Sequence, residues 1–234
     1  MKRGFIRALW GIHDRSHRLI ERRFRVDENI NEILKNKFNE PFRTYVMGED
    51  NYTAIKTLFP DCVMISPNPC MFDLVKYQYR NKLEAIKYAF EQDGYDELVY
   101  LDWDCVPKKK LPSSFWDEMS KKEVFQATLQ LYHRRKCHWR PEDLRKVPNG
   151  GFLYLRDKNL PSLAIEWWEK LGQPDNDEIA WAKIVDERMG GWKGMDVYWE
   201  KFEPMFCSLH KSSPYSLDKL KSKDVCFIHY QGGK

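Results

Sequence analysis

The stretch DELVYLDWDCVP, residues 96–107, decides how this chain is read. Its apolar run Leu98–Leu101 shows no polar alternation, the pattern of a strand buried on both faces of a parallel sheet. In a strand, residues i and i+2 share a face. Asp102 and Asp104 therefore project together where the strand emerges, with Trp103 turned the other way into packing. Two carboxylates at a strand end offer hard oxygens, suited to Mg²⁺ or Mn²⁺ and not to zinc. They serve equally to solvate a turn with Pro107 at its corner. A second Asp-x-Asp, Asp175 and Asp177 in QPDNDE, opens a helical pattern. Acidic residues there cap amides and complement the helix dipole, which leaves room for a second role.

Outward from this stretch, strand and helix alternate. The run GFIRALWG (4–11) reads as a first strand, FRTYVMG (42–48) as a second and CVMIS (62–66) as a third. A charged helical segment, 16–38, falls between the first two, and NYTAIKTLFP gives a short helix ended by Pro60. In KYQYRNKLEAIKYAFEQDGYDE, Tyr79, Leu83, Ile86 and Phe90 share one helical face, and Gly94 ends the helix. Later come strands in VFQATLQLY and NGGFLYLR, helices in LPSLAIEWWEKLG and NDEIAWAKIVDER, and short closing strands in GMDVYW and DVCFIHY. The expectation is an α/β chain with a Rossmann-like mixed sheet flanked by helices. Ligands in such sheets bind beyond the carboxyl ends of the strands, where Asp102 and Asp104 fall. No repeat or linker divides the chain, so 1–234 reads as one domain. The strand–helix half, about 1–107, reads as nucleotide-binding, and about 108–234 as a less regular half.

Composition narrows the class. With 15% aromatic residues and nine tryptophans in 234 residues, the chain has ample surface to bury and is not a disordered one. A net charge of +4 suits anionic ligands such as nucleotide phosphates and is too small to argue nucleic-acid binding alone. The cysteines at 62, 70, 105, 137, 207 and 226 contain no C-x-x-C pair, which excludes zinc-finger spacing and a small disulfide framework. Read as free thiols, and with neither a signal-peptide pattern nor a membrane-length apolar window, they lead to the expectation of a cytoplasmic protein.

The ordered series of motifs resembles the GT-A glycosyltransferases, whose Asp-x-Asp motif holds a divalent metal against a nucleotide sugar. The helix with RNKLEAI followed by the strand and YLDWDCVP is similar to their donor-binding half. VPNGGFLYLR (147–156) resembles the Asn-x-Gly turn beside the donor sugar, and NDEIAWAKI an acidic segment near the acceptor. CFIHYQGGK (226–234) resembles the C-terminal His-(Phe/Tyr)-x-Gly…Lys segment of family-8-like retaining enzymes. In this chain the lysine comes one residue early, and no Pro-Trp follows it.

The resemblance implies a metal-dependent transferase using a nucleotide sugar, with a UDP-linked donor first among the candidates and a tilt towards retention. It implies Asp104 as main metal ligand, Asp102 touching metal and ribose, His229 as third ligand and Lys234 at the diphosphate. Mn²⁺ or Mg²⁺ would be the cofactor. Arg80 and Lys82 are candidates for the phosphates. Leu9, Trp10 and Gly11 would line the base pocket, though Trp10 serves equally as core. Asn149, Gly150 and Gly151 would form a turn where backbone approaches the ligand closely. Asp177 and Glu178 would bind the acceptor hydroxyl, or deprotonate it in an inverting enzyme.

The basic, aromatic stretch LYHRRKCHWRP (131–141) keeps other acceptors open. It fits a solvated loop, and it also fits an acceptor that is a modified DNA base and not a glycan. A sugar-phosphate nucleotidyltransferase would need a glycine-rich phosphate loop that RALWGIHDR does not supply. A non-catalytic nucleic-acid-binding protein would bind DNA with steep salt dependence and no need for Asp102 or Asp104.

Overall fold

The structure is a computed structural model, and it describes residues 1–9, 40–57, 59–65, 78–102, 105–122, 124–130, 146–172, 177–189, 206–209 and 223–230. The strands are β1 (Arg3–Leu9), β2 (Phe42–Met47), β3 (Val63–Ile65), β4 (Glu97–Leu101), β5 (Cys105–Pro107), β6 (Val124–Gln130), β7 (Lys146–Leu155), β8 (Phe206–Leu209) and β9 (Phe227–Tyr230). The helices are α1 (Glu49–Lys56), α2 (Gln78–Glu91), α3 (Phe115–Met119), α4 (Leu160–Lys170) and α5 (Glu178–Met189).

Six strands form one sheet in the order β3-β2-β1-β4-β7-β6. β1 to β4 run parallel, and β7 runs antiparallel to both β4 and β6. The expected mixed α/β sheet is what the chain forms. All five residues of β4 are buried, as an unalternating apolar run requires in a sheet covered on both sides. From β1 the chain moves outward through β2 and β3, then returns to place β4 on the other side of β1. The order therefore reverses between β1 and β4, which is the switch point where open α/β sheets bind ligands.

Helices cover both faces. On one, α2 buries Leu83, Ile86 and Phe90, three of the four residues expected on its inner face, while Tyr79 is half-buried. Its end is the expected one: Gly94 takes a left-handed φ of 67°, which costs glycine little. Gly172, at φ 77°, follows α4 in the same way. On the other face an aromatic cluster carries the packing. Phe5 meets Trp116 of α3 edge-on at 5.2 Å, and Phe152 meets Phe227 at 5.1 Å. Through Phe227 the small sheet β5-β9-β8 is fixed against the main one.

Three elements escape the sequence reading: β5, α3 and β8, of three, five and four residues. Each is too short to show a period. The helix expected over 16–38 and the strand expected in GMDVYW lie outside the described residues. Among the described residues no helix is long and apolar enough to cross a membrane.

Candidate functional site

The site is built where β4 ends. Asp102 follows Leu101 directly; its amide donates to the Gly151 carbonyl at 3.0 Å and its own carbonyl accepts from the Cys105 amide at 2.9 Å. That turn sends the chain into β5, which pairs antiparallel with β9 and sets Cys105 opposite His229. The sheet thereby delivers His229 from the far end of the sequence. Its Nε2 lies 3.8 Å from Asp102 Oδ2, beyond a hydrogen bond. Two donors of one cation with bonds of ~2.1 Å stand roughly 3.0 Å apart at adjacent octahedral positions and roughly 4.2 Å apart at opposite ones; the 3.8 Å separation lies between the two, so the pair would have to shift by several tenths of an ångström to share a Mg²⁺ or Mn²⁺. Among the described residues no three His, Cys, Asp or Glu side chains meet as a complete metal site. Asp104, the expected main ligand, lies outside them together with Trp103.

Lys82 is the centre of the remaining chemistry. It sits in α2, fully buried, with its ammonium 4.6 Å from the centre of the Tyr100 ring. Nζ lies 2.9 Å from Asp177 Oδ2 and 3.9 Å from Asp102 Oδ1, and it donates to the Gly150 carbonyl at 2.5 Å. Burial works to lower its pKa, but the charges of Asp177 and Asp102 and the bond to Asp177 outweigh that and raise it. The ammonium is therefore permanent.

Asp177 is 1% exposed, and its Oδ2 also accepts the Trp181 indole N–H at 2.8 Å from one turn along α5. Its backbone carbonyl accepts from the Ala180 and Trp181 amides. The carboxylate thus turns inward to Lys82 and Trp181. Next to it, Glu178 accepts the Gly150 N–H at 2.7 Å. Burial lifts the Glu178 pKa to about 7, helped by Asp177 and Asp102 and opposed by the Gly150 amide and Lys82. Tyr79, on the first turn of α2, is pushed up to about 12 by burial and by the charges of Asp177 and Asp102.

Lys82, Asp102, Gly150, Gly151, Asp177, Glu178 and His229 are therefore brought together. Arg80 is not: two residues along a helix point about 200° apart. Its guanidinium pairs with Glu84 at 2.7 Å and with Glu169 of α4 at 2.6 Å, on the side of α2 away from Lys82. Leu9 ends β1 at the switch point, and its side chain is buried with Val46, Ile55, Phe59 and Cys62. Trp10, Gly11 and Lys234 lie outside the described residues, as does the 131–141 stretch, and Asn149 is described only by its backbone in β7. Trp181 escapes the sequence reading although its spacing of four from Asp177 on one helix was a usable signal.

No protein-family model matches the chain. No curated protein matches it either. Solved structures do. The galactosyltransferase LgtC, crystallised with donor and acceptor sugar analogues, superposes with a TM-score of 0.56 at 15% identity, covering 98% of this chain and 87% of that one. Mouse xyloside xylosyltransferase 1, in its apo form, gives 0.56 at 12% identity, covering 99% of this chain and 98% of that one. At such identities the likeness is one of fold, and the fold this chain shares with them is the GT-A glycosyltransferase fold.

Proposed function

We propose that this chain is a metal-dependent glycosyltransferase that moves a sugar from a nucleotide-sugar donor, UDP-linked in the first instance, to an acceptor hydroxyl on a glycan. One observation carries the reading. At the switch point of a GT-A sheet, Asp102 has one carboxylate oxygen near His229 and the other near a buried Lys82, which is itself paired to Asp177. A single carboxylate thus lies between the candidate metal position at His229 and the Lys82–Asp177 pair.

In this reading the whole chain acts as one catalytic domain, with about 1–107 contributing most to the nucleotide and about 108–234 to the acceptor. Asp102, Asp104 and His229 would hold Mn²⁺ or Mg²⁺. Bound there, such an ion would supply positive charge to a diphosphate leaving group. Lys82 orients Asp177 through their 2.9 Å ion pair. Glu178, one of whose oxygens is anchored on Gly150, is the carboxylate available to an acceptor hydroxyl. With a pKa of about 7 it can take up or give back a proton near neutrality. Leu9 to Gly11 would border the base, Asn149 to Gly151 the sugar and Lys234 the diphosphate. The C-terminal His-Tyr-Gln-Gly resemblance favours retention of configuration.

Thermal unfolding with UDP, GDP, CDP and ADP, each with and without Mn²⁺, tests the donor site on wild type and Asp104→Ala. A nucleotide at about a hundredfold over its Kd adds roughly 2.7 kcal/mol, a shift on the order of 5–10 °C. One nucleotide that shifts the wild type only with Mn²⁺, and not the variant, is the expected result. No shift with any of them sinks the reading. Mass spectrometry of products from a glycan and a modified-DNA acceptor panel then assigns the acceptor.

A further inference from the structure

Gly150 occupies an unusual place in β7. Among the described residues the register pairs of β7 with β4 run from Leu155 to Phe152, and the Asp102 N–H donates to the Gly151 carbonyl beyond them. With β6 the register jumps from Gln126 opposite Leu153 to Thr128 opposite Pro148, so that residues 149–152 bulge out of register. Among the described residues Gly150 thus has no register partner on either neighbouring strand, although it is buried. A buried peptide must satisfy its N–H and C=O elsewhere. Here two charged side chains do so: Glu178 Oε1 takes the N–H at 2.7 Å, and Lys82 Nζ donates to the C=O at 2.5 Å. One residue therefore ties α2 to the start of α5, segments that stand far apart in the sequence.

The lack of a side chain at this residue has a second effect. A Cβ built on Gly150 would stand 2.8 Å from Lys82 Nζ, and 3.5 Å from both Asp177 Oδ1 and Glu178 Cγ. Its φ is not in the left-handed region, so the backbone itself would accept alanine. What glycine supplies is room for the ammonium. We propose that Gly150 is a positioning residue of the transfer site: its bulged peptide fixes Lys82 and Glu178, and its missing side chain lets the ammonium stand between its carbonyl and Asp177. This rests on reading Lys82 and Glu178 as parts of a transferase site. Bulges of this kind re-aim side chains next to active sites.

The test is Gly150→Ala, read by ¹³C NMR of carboxyl-labelled glutamate across pH, with Glu178→Gln to assign the signal. Lys82 Nζ is the end of a flexible side chain and can give way, so the variant is expected to fold. Wild type should show a glutamate titrating at about 7 that is missing from Glu178→Gln. In Gly150→Ala the ammonium moves off and its lowering influence is lost, so the midpoint should rise by about half a unit or more. Transfer assays should then show the fall in kcat, with little change in donor KM.

An unfolded Gly150→Ala would overturn the proposal, because the glycine would then be structural. So would a folded variant with an unmoved midpoint, or a wild type lacking the assigned signal. These readouts need no turnover. Absence of transfer in the wild type would count against the transferase reading and leave the outcome of the titration standing.

Discussion

The two ends of the main sheet handle buried charge in opposite ways. At the amino ends of the strands, Asp93 sits just past α2. It accepts from Arg43 at 2.7 Å and from the Tyr45 hydroxyl at 2.5 Å, while Lys2 bonds its backbone carbonyl. One carboxylate meets one guanidinium and a neutral donor. At the carboxyl ends, Asp102, Asp177 and Glu178 share the ammonium of Lys82. Among the described residues the amino end thus pairs its carboxylate with a guanidinium, while three carboxylates gather round one ammonium at the carboxyl end, the arrangement that the proposed transferase reading puts to use.

The sharpest way to break this contrast is Lys82→Met. It keeps the buried stem but leaves the Asp177 carboxylate buried without its cation. Removing one partner of a buried pair costs about 3–5 kcal/mol, so the melting temperature should fall by roughly 10–15 °C. Transfer should be lost along with it. Asp93→Ala attacks the other end. It removes two hydrogen bonds to a charged group of which Arg43 is partly exposed, so the loss should be about 2–3 kcal/mol, or roughly 5–9 °C. Nucleotide binding should stay at wild-type strength when both are measured well below the melting point. Equal damage to binding from both variants would erase the distinction between a structural and a functional end.

The functional end was legible in the sequence only where its signal was local. The apolar run into Asp102 shows a strand end, and the glycines at 94 and 172 mark helix ends, because each depends on a few adjacent residues. His229 and Glu178 could be named as candidates from their motifs. That Lys82 reaches Asp177 could not, since the two stand on α2 and at the start of α5 and meet only through the packing of α2 on β1 and of α5 on β7. The same limit joined Arg80 to Lys82 as a phosphate pair, when a spacing of two on a helix sends them to opposite sides. Gly150 was legible as a close approach, but its neighbour is the protein's own lysine. β5 and α3 carried no period at all, and without β5 no local pattern brings His229 beside Asp102.

Trp181→Phe sharpens the comparison with less disruption. It retains most of the buried aromatic packing and removes a single N–H from Asp177 Oδ2. A hydrogen bond to a charged group contributes about 1.5–3 kcal/mol, so a drop of roughly 3–8 °C is expected. If Trp181 serves the Lys82–Asp177 pair, transfer should fall while nucleotide binding at Asp102 holds. A variant that loses stability and keeps full turnover would make Trp181 a packing residue only.

The smallest effect tests the charge surplus itself. Glu178 has its pKa raised by burial from the ordinary value of 4.5 to about 7. Between those two values the folded chain binds more protons than the unfolded one. Stability from this group is thus fully present below about pH 4.5, declines as pH rises and levels off above about 7. Glu178→Gln keeps an oxygen to accept the Gly150 N–H but cannot ionise, so it escapes the decline. Urea unfolding at pH 5, 6, 7 and 8 should show the variant gaining on wild type as pH rises, by a total on the order of 1 kcal/mol once solvent access to this half-buried group is allowed for. A constant difference across that range would mean that Glu178 is ionised throughout. The carboxyl end would then carry its full negative charge already at pH 5, and the role in proton transfer would pass to another group.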